Sequence, residues 1–376
     1  MSVTGFDVAV IGGGLHGLSA ALHLARAGKR TVILERSWVG RHSSSSTAAG
    51  VRTLGRDLAE VPISLEAMDM WHRIAGIVGD ECGFHADGQI RVAEFNAHWP
   101  DLTEREAKMR ALGYRHEELI DAAELHRLAP ALSPHCVGGL IARNDGAADP
   151  HLTIAAFRHS CEAAGVTIIE GWGLVGVQRQ GADWLLRSET HSVSAPMVVN
   201  AAGAWAGKLA ALFGDEIELG LKASMMIVTE RIAPLLRPVI SVVGRALSFK
   251  QSDQGTLVIG GGLQGSADLD RQTSRVDFMR LAKGARASAD LFPMVGDVRI
   301  ARCWTGIEAT TRDLIPVIGT SPNAPGLFHV FGFSGHGFQL VPVVGAIVCD
   351  LVVEGRTARH IAPFAPQRLM ARQAAA

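Results

Sequence analysis

The sequence predicts an α/β protein of two parts, one organised around a parallel sheet with crossover helices and the other around a mostly antiparallel sheet (α+β). Three observations carry this prediction. The chain opens with an apolar run, a glycine-rich turn, an amphipathic helix and a second apolar run, the pattern of a βαβ unit. Residues 217–308 instead hold short strand-like stretches with one helix among them. The length, 376 residues, suits two domains of ordinary size.

The first unit is the most specific. Phe6 to Ile11 reads as a buried parallel strand. Gly12-Gly13-Gly14-Leu15-His16-Gly17 follows at once and fits GxGxxG through Gly12, Gly14 and Gly17. Leu15, Leu18, Leu22 and Ala25 then recur at helical spacing, Gly28 stops the helix, and Thr31 to Leu34 forms the next strand, closed by Glu35. The first glycine permits the tight turn, the second lets backbone approach a pyrophosphate, and the third lets helix pack on strand. The helix start offers free N–H groups and a positive dipole to phosphates. An acid about 20 residues past the glycines accepts hydrogen bonds from ribose hydroxyls. Glu35 therefore argues for a dinucleotide without a 2′-phosphate, and against NADP.

After this unit comes Arg41-His42-Ser43-Ser44-Ser45-Ser46-Thr47-Ala48-Ala49-Gly50-Val51-Arg52, where small hydroxyl and then small apolar residues let backbone approach a flat ligand. Residues 56–85 are expected to be helical, Gln89 to Ala93 a strand, and residues 101–130 a charged helix ending near Pro130. A helix is expected over Leu152 to Ala164 and a strand over Val166 to Ile169. Val198-Val199-Asn200-Ala201-Ala202-Gly203-Ala204-Trp205 reads as a strand running into a small-residue turn. Strands are expected at Ser224–Thr229, Ala246–Lys250, Thr256–Ile259 and Val298–Trp304, with a helix over 277–292. Leu327 to Phe331 leads into a second glycine-rich turn, Gly332-Phe333-Ser334-Gly335-His336-Gly337-Phe338, and a helix carrying Val341, Val344, Ile347, Val348 and Leu351. That turn is a second helix start able to stabilise negative charge.

Composition removes several function classes. With 36 Lys+Arg against 37 Asp+Glu, the formal charge of −1 offers no footprint for nucleic acid. No apolar run of about 18 residues is present, so a membrane-spanning helix is not expected. The N-terminus lacks a basic region before its apolar run, which argues against a signal peptide. Five dispersed cysteines without a CxxC pair read as reduced thiols of a cytoplasmic protein, and give neither zinc-ligand spacing nor disulfide-reductase chemistry. No metal site is expected among the histidines.

Taken together, these motifs resemble the FAD-dependent oxidoreductases of the D-amino-acid oxidase superfamily. The likeness rests on Gly12-x-Gly14-x-x-Gly17 with Glu35, the Ser/Thr-to-Gly50 loop, Asn200 to Trp205, Thr311-Arg312-Asp313-Leu314-Ile315-Pro316-Val317-Ile318-Gly319, and Gly335-His336-Gly337-Phe338, in family order over nearly the whole chain. The nearest branch is that of sarcosine oxidase β-subunits, opine oxidases and D-hydroxyproline dehydrogenase β-subunits. The resemblance implies FAD. It assigns the ADP half to Gly12, Gly14, Leu15, His16, Gly17, Glu35, Arg36 and Ser44, with Leu174 at the adenine end. It sets Thr47, Ala48, Ala49 and Gly50 along the flavin ring, adds Ala201, Ala202, Gly203 and Trp205, and aims Gly335, His336, Gly337, Phe338 and Gln339 at the flavin's pyrimidine edge. The implied domain division is 1–85, 140–216 and 309–376 for FAD, with 86–139 and 217–308 for substrate.

The chemistry so implied is oxidation of a C–N bond in a small amino or imino acid, giving an imine, with O2 or an electron-accepting partner subunit as acceptor. The assembly is then a hetero-oligomer with an α-type subunit or a homo-oligomer. Glycine-oxidase-like members carry an arginine five residues before the motif aspartate to hold the substrate carboxylate; here that residue is Glu308, which cannot. Arg52 is the replacement cation the sequence suggests, with Lys250 and Arg302 behind it, and Glu308 then faces the substrate amine. His336 serves backbone geometry or, in a rival reading as a flavin 2-hydroxyacid dehydrogenase, acts as base. A further rival is a non-catalytic FAD-binding subunit. His42 raises the question of covalent flavin attachment.

Overall fold

The computed structural model describes residues 3–370. A six-stranded sheet runs in the order Val317–Thr320, Leu327–Phe331, Met197–Asn200, Val8–Ile11, Thr31–Leu34, Thr167–Ile169. All its pairings are parallel except that of the first two strands. Val8–Ile11 and Thr31–Leu34 are buried along their full length, which is why they read as continuous apolar runs without alternation. Helices Leu15–Arg26, Pro150–Ala163 and Val341–Val353 cover one face, with Val8, Leu18, Leu22, Val344 and Ile347 in a common core. Each such buried aliphatic side chain contributes roughly 1.5–3 kcal/mol. A Cβ at Gly345 would collide with Ser19, so the first and last helices cross at near backbone contact. The opposite face, carrying Ala9, Ile11, Val32 and Leu34, packs on Trp172, Trp184 and Leu186. Trp184 and Leu186 belong to a four-stranded sheet of Val3–Gly5, Ser192–Ala195, Asp183–Arg187 and Gly176–Gln180.

The second large sheet has eight strands: Ile300–Thr305, Met225–Arg231, Thr256–Gly260, Ser248–Gln251, Val239–Val242, Gln89–Ala93, Gly138–Ala142 and Glu118–Asp121. It is antiparallel except where Val239–Val242 runs parallel to Gln89–Ala93. Alternation divides its faces. Ile90, Ile227, Ile240, Phe249 and Ile259 point into a core closed by helix Phe278–Leu291. Gln89, Arg91, Ser241 and Ser248 point the other way, into a cavity.

Two helical expectations divide. Residues 56–85 become Val61–Trp71 and Ile74–Val78, the first opened by Pro62 and the second ended by left-handed Gly79. Residues 101–130 become helix Trp99–Ala111, strand Glu118–Asp121 and helix Ala122–Leu128. Gly113 at φ +87 ends the first, and Asp121 caps the last by accepting from the Glu124 N–H. The strands over 176–195 and Val239–Val242 had no sequence counterpart. Among the described residues no helix is long and apolar enough to cross a membrane.

Candidate active site

Where the C-terminal ends of the parallel strands approach the polar face of the eight-stranded sheet, one cavity of about 870 Å³ brings the sequence motifs together. Topological switch points of this kind are where open α/β sheets bind ligands. At one end Val8–Ile11 delivers the Gly12–Gly14 turn. A Cβ at Gly12 would meet the carbonyl of Ala201, and one at Gly17 the carbonyl of Gly12, so both positions admit only glycine. Gly17 does not reach the cavity; it is where helix packs on strand. The Leu15 N–H, first of the helix, donates to Ser44 Oγ at 3.0 Å, which docks the serine loop on the helix start. Glu35 accepts from the N–H groups of Gly13 (2.8 Å) and Ser37 (2.7 Å) at the cavity wall. Leu174 and Trp172 line this end. Arg36 lies over the Trp205 ring, 4.4 Å from its centroid, and His42 packs on the same ring. Burial and the charges of Arg41 and Arg36 push the His42 imidazole down to about 4.

The serine loop continues through Thr47, Ala48 and Gly50 along the wall. Ala49 is buried behind it at φ +52, so the loop turns there at a position unusual for a residue with a Cβ. The backbone of 50–51 pairs with 146–147, and buried Asp145 accepts from the N–H groups of Thr53 and Leu54 and from Thr53 Oγ1. Burial pushes the Asp145 carboxyl up to about 6 against those bonds. This clasp fixes Arg52, which lines the cavity and donates to the Leu54 carbonyl. Desolvation lowers its pKa, with Asp145 opposing, and a guanidinium stays charged regardless.

The second glycine turn lines the same cavity and touches the first, where the His16 ring stacks on Phe333 with centroids 3.7 Å apart. Gly335 has φ +97 and donates its N–H to Glu308 Oε1 at 2.6 Å. Burial raises the Glu308 carboxyl above the usual range, against the Gly335 bond and the charge of Lys222. Lys222, which the sequence did not single out, stands opposite Glu308 in the strand register and donates to the Ser334 carbonyl at 3.0 Å. The turn is anchored from beneath by a network also invisible in the sequence. Buried Arg56 donates to the His336 carbonyl, to Gln339 Oε1 and to Glu60. His336 Nε2 lies 2.9 Å from Glu60 Oε1. Burial opposes the Glu60 charge, but His336 and Arg56 outweigh it and hold the carboxyl below its ordinary value. Burial lowers His336 despite Glu60, so a neutral imidazole donating from Nε2 describes the pair.

Most sequence candidates meet in this cavity, and five do not. Gly17 and Ala49 support the wall from behind. Gln339 is buried, donating to the Ser64 carbonyl, while its own carbonyl accepts from Trp71 Nε1. Lys250 is the clearest departure from its expected catalytic position. Its Nζ donates to the Ala148 carbonyl at 3.0 Å, and burial lowers its pKa to about 8. Ala148 in turn donates to the Ala49 carbonyl, so Lys250 braces the serine loop and does not face substrate. Arg302 is likewise absent from the wall, and Arg312 donates to the Arg368 carbonyl and makes no ion pair with Glu308 among the described residues.

The cavity suits FAD on its own evidence. Its first glycine turn, where a Cβ at Gly12 has no room, meets the start of helix Leu15–Arg26 at the wall, the kind of place that accepts a phosphate. His16 Nδ1 and Trp172 Nε1 line it as buried polar atoms without a partner among the described residues. Comparison with known proteins agrees: the DAO family, described as FAD dependent oxidoreductase, matches residues 7–351. The chain belongs to that family. A glycine oxidase of Geobacillus kaustophilus is 26% identical over 96% of this chain and 97% of its own. The crystal structure of that enzyme superposes with a TM-score of 0.91 at 24% identity, covering 98% of this chain and 100% of the other. An opine oxidase subunit from Agrobacterium tumefaciens is 26% identical over 98% of this chain and 99% of its own. The sarcosine oxidase β-subunit of Rhodobacter capsulatus is 23% identical over 93% and 85%. As a DAO-family protein this chain is an FAD-dependent oxidoreductase.

Proposed function

We propose that this DAO-family protein oxidises the C–N bond of a small amino or imino acid, with a secondary or cyclic amine such as sarcosine, D-hydroxyproline or an opine as substrate. The observation that carries the reading is the disposition of charge: Arg52, with no acidic partner within ion-pair distance among the described residues, shares the cavity wall with Glu308. The guanidinium binds the substrate carboxylate through a two-point fork. Glu308, raised above the ordinary carboxylate range by burial, accepts the proton of the incoming ammonium and leaves a neutral amine. Bound FAD supplies the two-electron acceptor for the hydrogen on the carbon beside nitrogen. The Gly335–Phe338 turn, braced by Arg56 and Glu60, holds helix-start N–H groups toward the cofactor's pyrimidine edge. His336 is a positioning residue in this scheme. Its Nε2 is taken by Glu60, which weighs against the 2-hydroxyacid reading that needs it as base.

The same proposal includes the domain division given above, a cytoplasmic location in keeping with five free cysteines, and electron transfer to O2 or to an α-type partner subunit. The relatives named as subunits support a hetero-oligomer. An anaerobic titration of the FAD-loaded protein tests it, following flavin bleaching with cis-4-hydroxy-D-proline, D-proline, sarcosine, glycine, an opine and a 2-hydroxy acid. Bleaching by an amine is expected, and admitting air then separates oxidase from dehydrogenase. Bleaching by the hydroxy acid alone overturns the reading.

A further inference from the structure

The Arg52 guanidinium makes one hydrogen bond among the described residues, from Nη1 to the Leu54 carbonyl at 2.6 Å. That carbonyl belongs to the same peptide group as the Gly55 N–H. The group is trans and planar, so its C=O and N–H point in opposite directions, and whatever holds the N–H aims the carbonyl. The Gly55 N–H donates to Glu117 Oε1 at 2.8 Å. Glu117 therefore stands on one side of a flat group and Arg52 on the other.

The sheet brings this acid to the loop. Strands Gly138–Ala142 and Glu118–Asp121 are antiparallel neighbours, with Ile141 opposite Glu118. The end of the first and the start of the second thus share one edge of the sheet. Each sends a buried carboxylate to the Arg52 loop: Asp145 takes the Thr53 and Leu54 N–H groups, and Glu117 takes that of Gly55. The two acids set different peptides, and the one that carries the Leu54 carbonyl answers to Glu117. Gly55, at φ +68, allows the left-handed turn that this arrangement needs. Arg105 fills the rest of Glu117, with Nε at 2.8 Å and Nη2 at 2.9 Å. That bidentate pair neutralises the carboxylate. Glu117 can then anchor backbone without drawing the Arg52 fork away from the cavity.

We propose that Glu117 is a positioning residue for substrate binding, which acts through the Leu54–Gly55 peptide to orient the Arg52 guanidinium toward the substrate carboxylate. This rests on the assignment of Arg52 to that carboxylate in the C–N oxidation reading. With the anchor removed, the peptide is free to rotate, and the guanidinium loses the carbonyl that fixes it.

The probe is 2-furoate, a flat carboxylate without an amine, whose binding reports the cation and involves neither Glu308 nor turnover. Its Kd on FAD-loaded protein is read from the perturbation of flavin absorbance. Arg52→Gln is expected to weaken it at least about tenfold. Arg105→Met combined with Glu117→Met removes the anchor and replaces the ion pair by apolar chains, an exchange that leaves stability near native. This double variant is expected to keep its FAD and its unfolding temperature, yet to bind furoate roughly tenfold more weakly. Glu117→Gln retains an acceptor for the Gly55 N–H and is expected to bind within about threefold of the native protein. Added to Arg52→Gln, the double substitution is expected to weaken binding no further. An unchanged Kd in the double variant overturns the proposal and leaves C–N oxidation intact. So does a tenfold loss in Glu117→Gln, or a full further loss on top of Arg52→Gln. Native-like furoate binding by Arg52→Gln overturns the assignment of Arg52 itself, and this proposal with it.

Discussion

The two glycine turns of the cavity are fixed by different means. The first, Gly12 to Gly17, is built from backbone against backbone. Its glycines are required because the carbonyls of Ala201 and Gly12 occupy the space a Cβ would take. The second, Gly335 to Phe338, has some of the same closeness, since a Cβ at Gly337 would stand 2.6 Å from Phe333 Cβ. It is nonetheless fixed mainly by side chains distant in sequence: Glu308 on the Gly335 N–H, Arg56 on the His336 carbonyl and Glu60 on its ring. A turn fixed by its own backbone carries its constraint in its own residues. A turn fixed by remote side chains is specified jointly, and either partner can fail.

The contrast predicts which turn breaks harder. Arg56→Met removes a fully buried cation that serves the His336 carbonyl, Gln339 and Glu60 together, and leaves those acceptors buried. Stability is expected to fall by about 3–5 kcal/mol. Thermal unfolding with FAD content as a second readout checks it, and a loss under about 1 kcal/mol would show that the network is dispensable. Gly17→Ala should cost less, about 1–3 kcal/mol for a single overpacked methyl. Its signature is different: the helix start is pushed off the strand, so the protein is expected to purify without flavin absorbance. Retained FAD in Gly17→Ala with a lowered unfolding temperature would place the constraint in packing alone.

What the sequence shows follows the same division. The βαβ unit, the parallel strands and the place of Thr47, Ala48, Gly50, Ala201 and Ala202 on the cavity wall were legible, because buried strands and close backbone approach leave composition signals. Arg56, Glu60, Lys222 and Arg91 were not. A charged residue in a helix or strand looks the same whether it faces water or a cavity, and only the fold decides. Period-2 alternation of Gln89 and Arg91 with Ile90 and Val92 was a usable signal for Arg91, since the apolar partners mark the core face. Lys250 misled for the converse reason. Its charge made it a candidate for the substrate carboxylate, and only its partner Ala148, about 100 residues away, shows it to be a brace.

The smallest expected effect bears on the joint specification most closely. Glu308 is raised in the folded protein, mainly by burial, so between its unfolded and folded pKa values the native state binds the extra proton. Its contribution to stability is then full below the ordinary carboxylate pKa and declines as pH rises through the folded value. Glu308→Gln keeps an acceptor for the Gly335 N–H and removes the titration. The variant is expected to lie within about 1 kcal/mol of the native protein at pH 5, and to lose less stability than it between pH 5 and pH 8. Denaturant titrations at the two pH values measure the difference. A native protein whose stability falls no more than that of Glu308→Gln over this range would mean that Lys222, opposite in the register, compensates the carboxylate fully, and that the second turn rests on an ion pair where the geometry shows a lone acid on a backbone N–H.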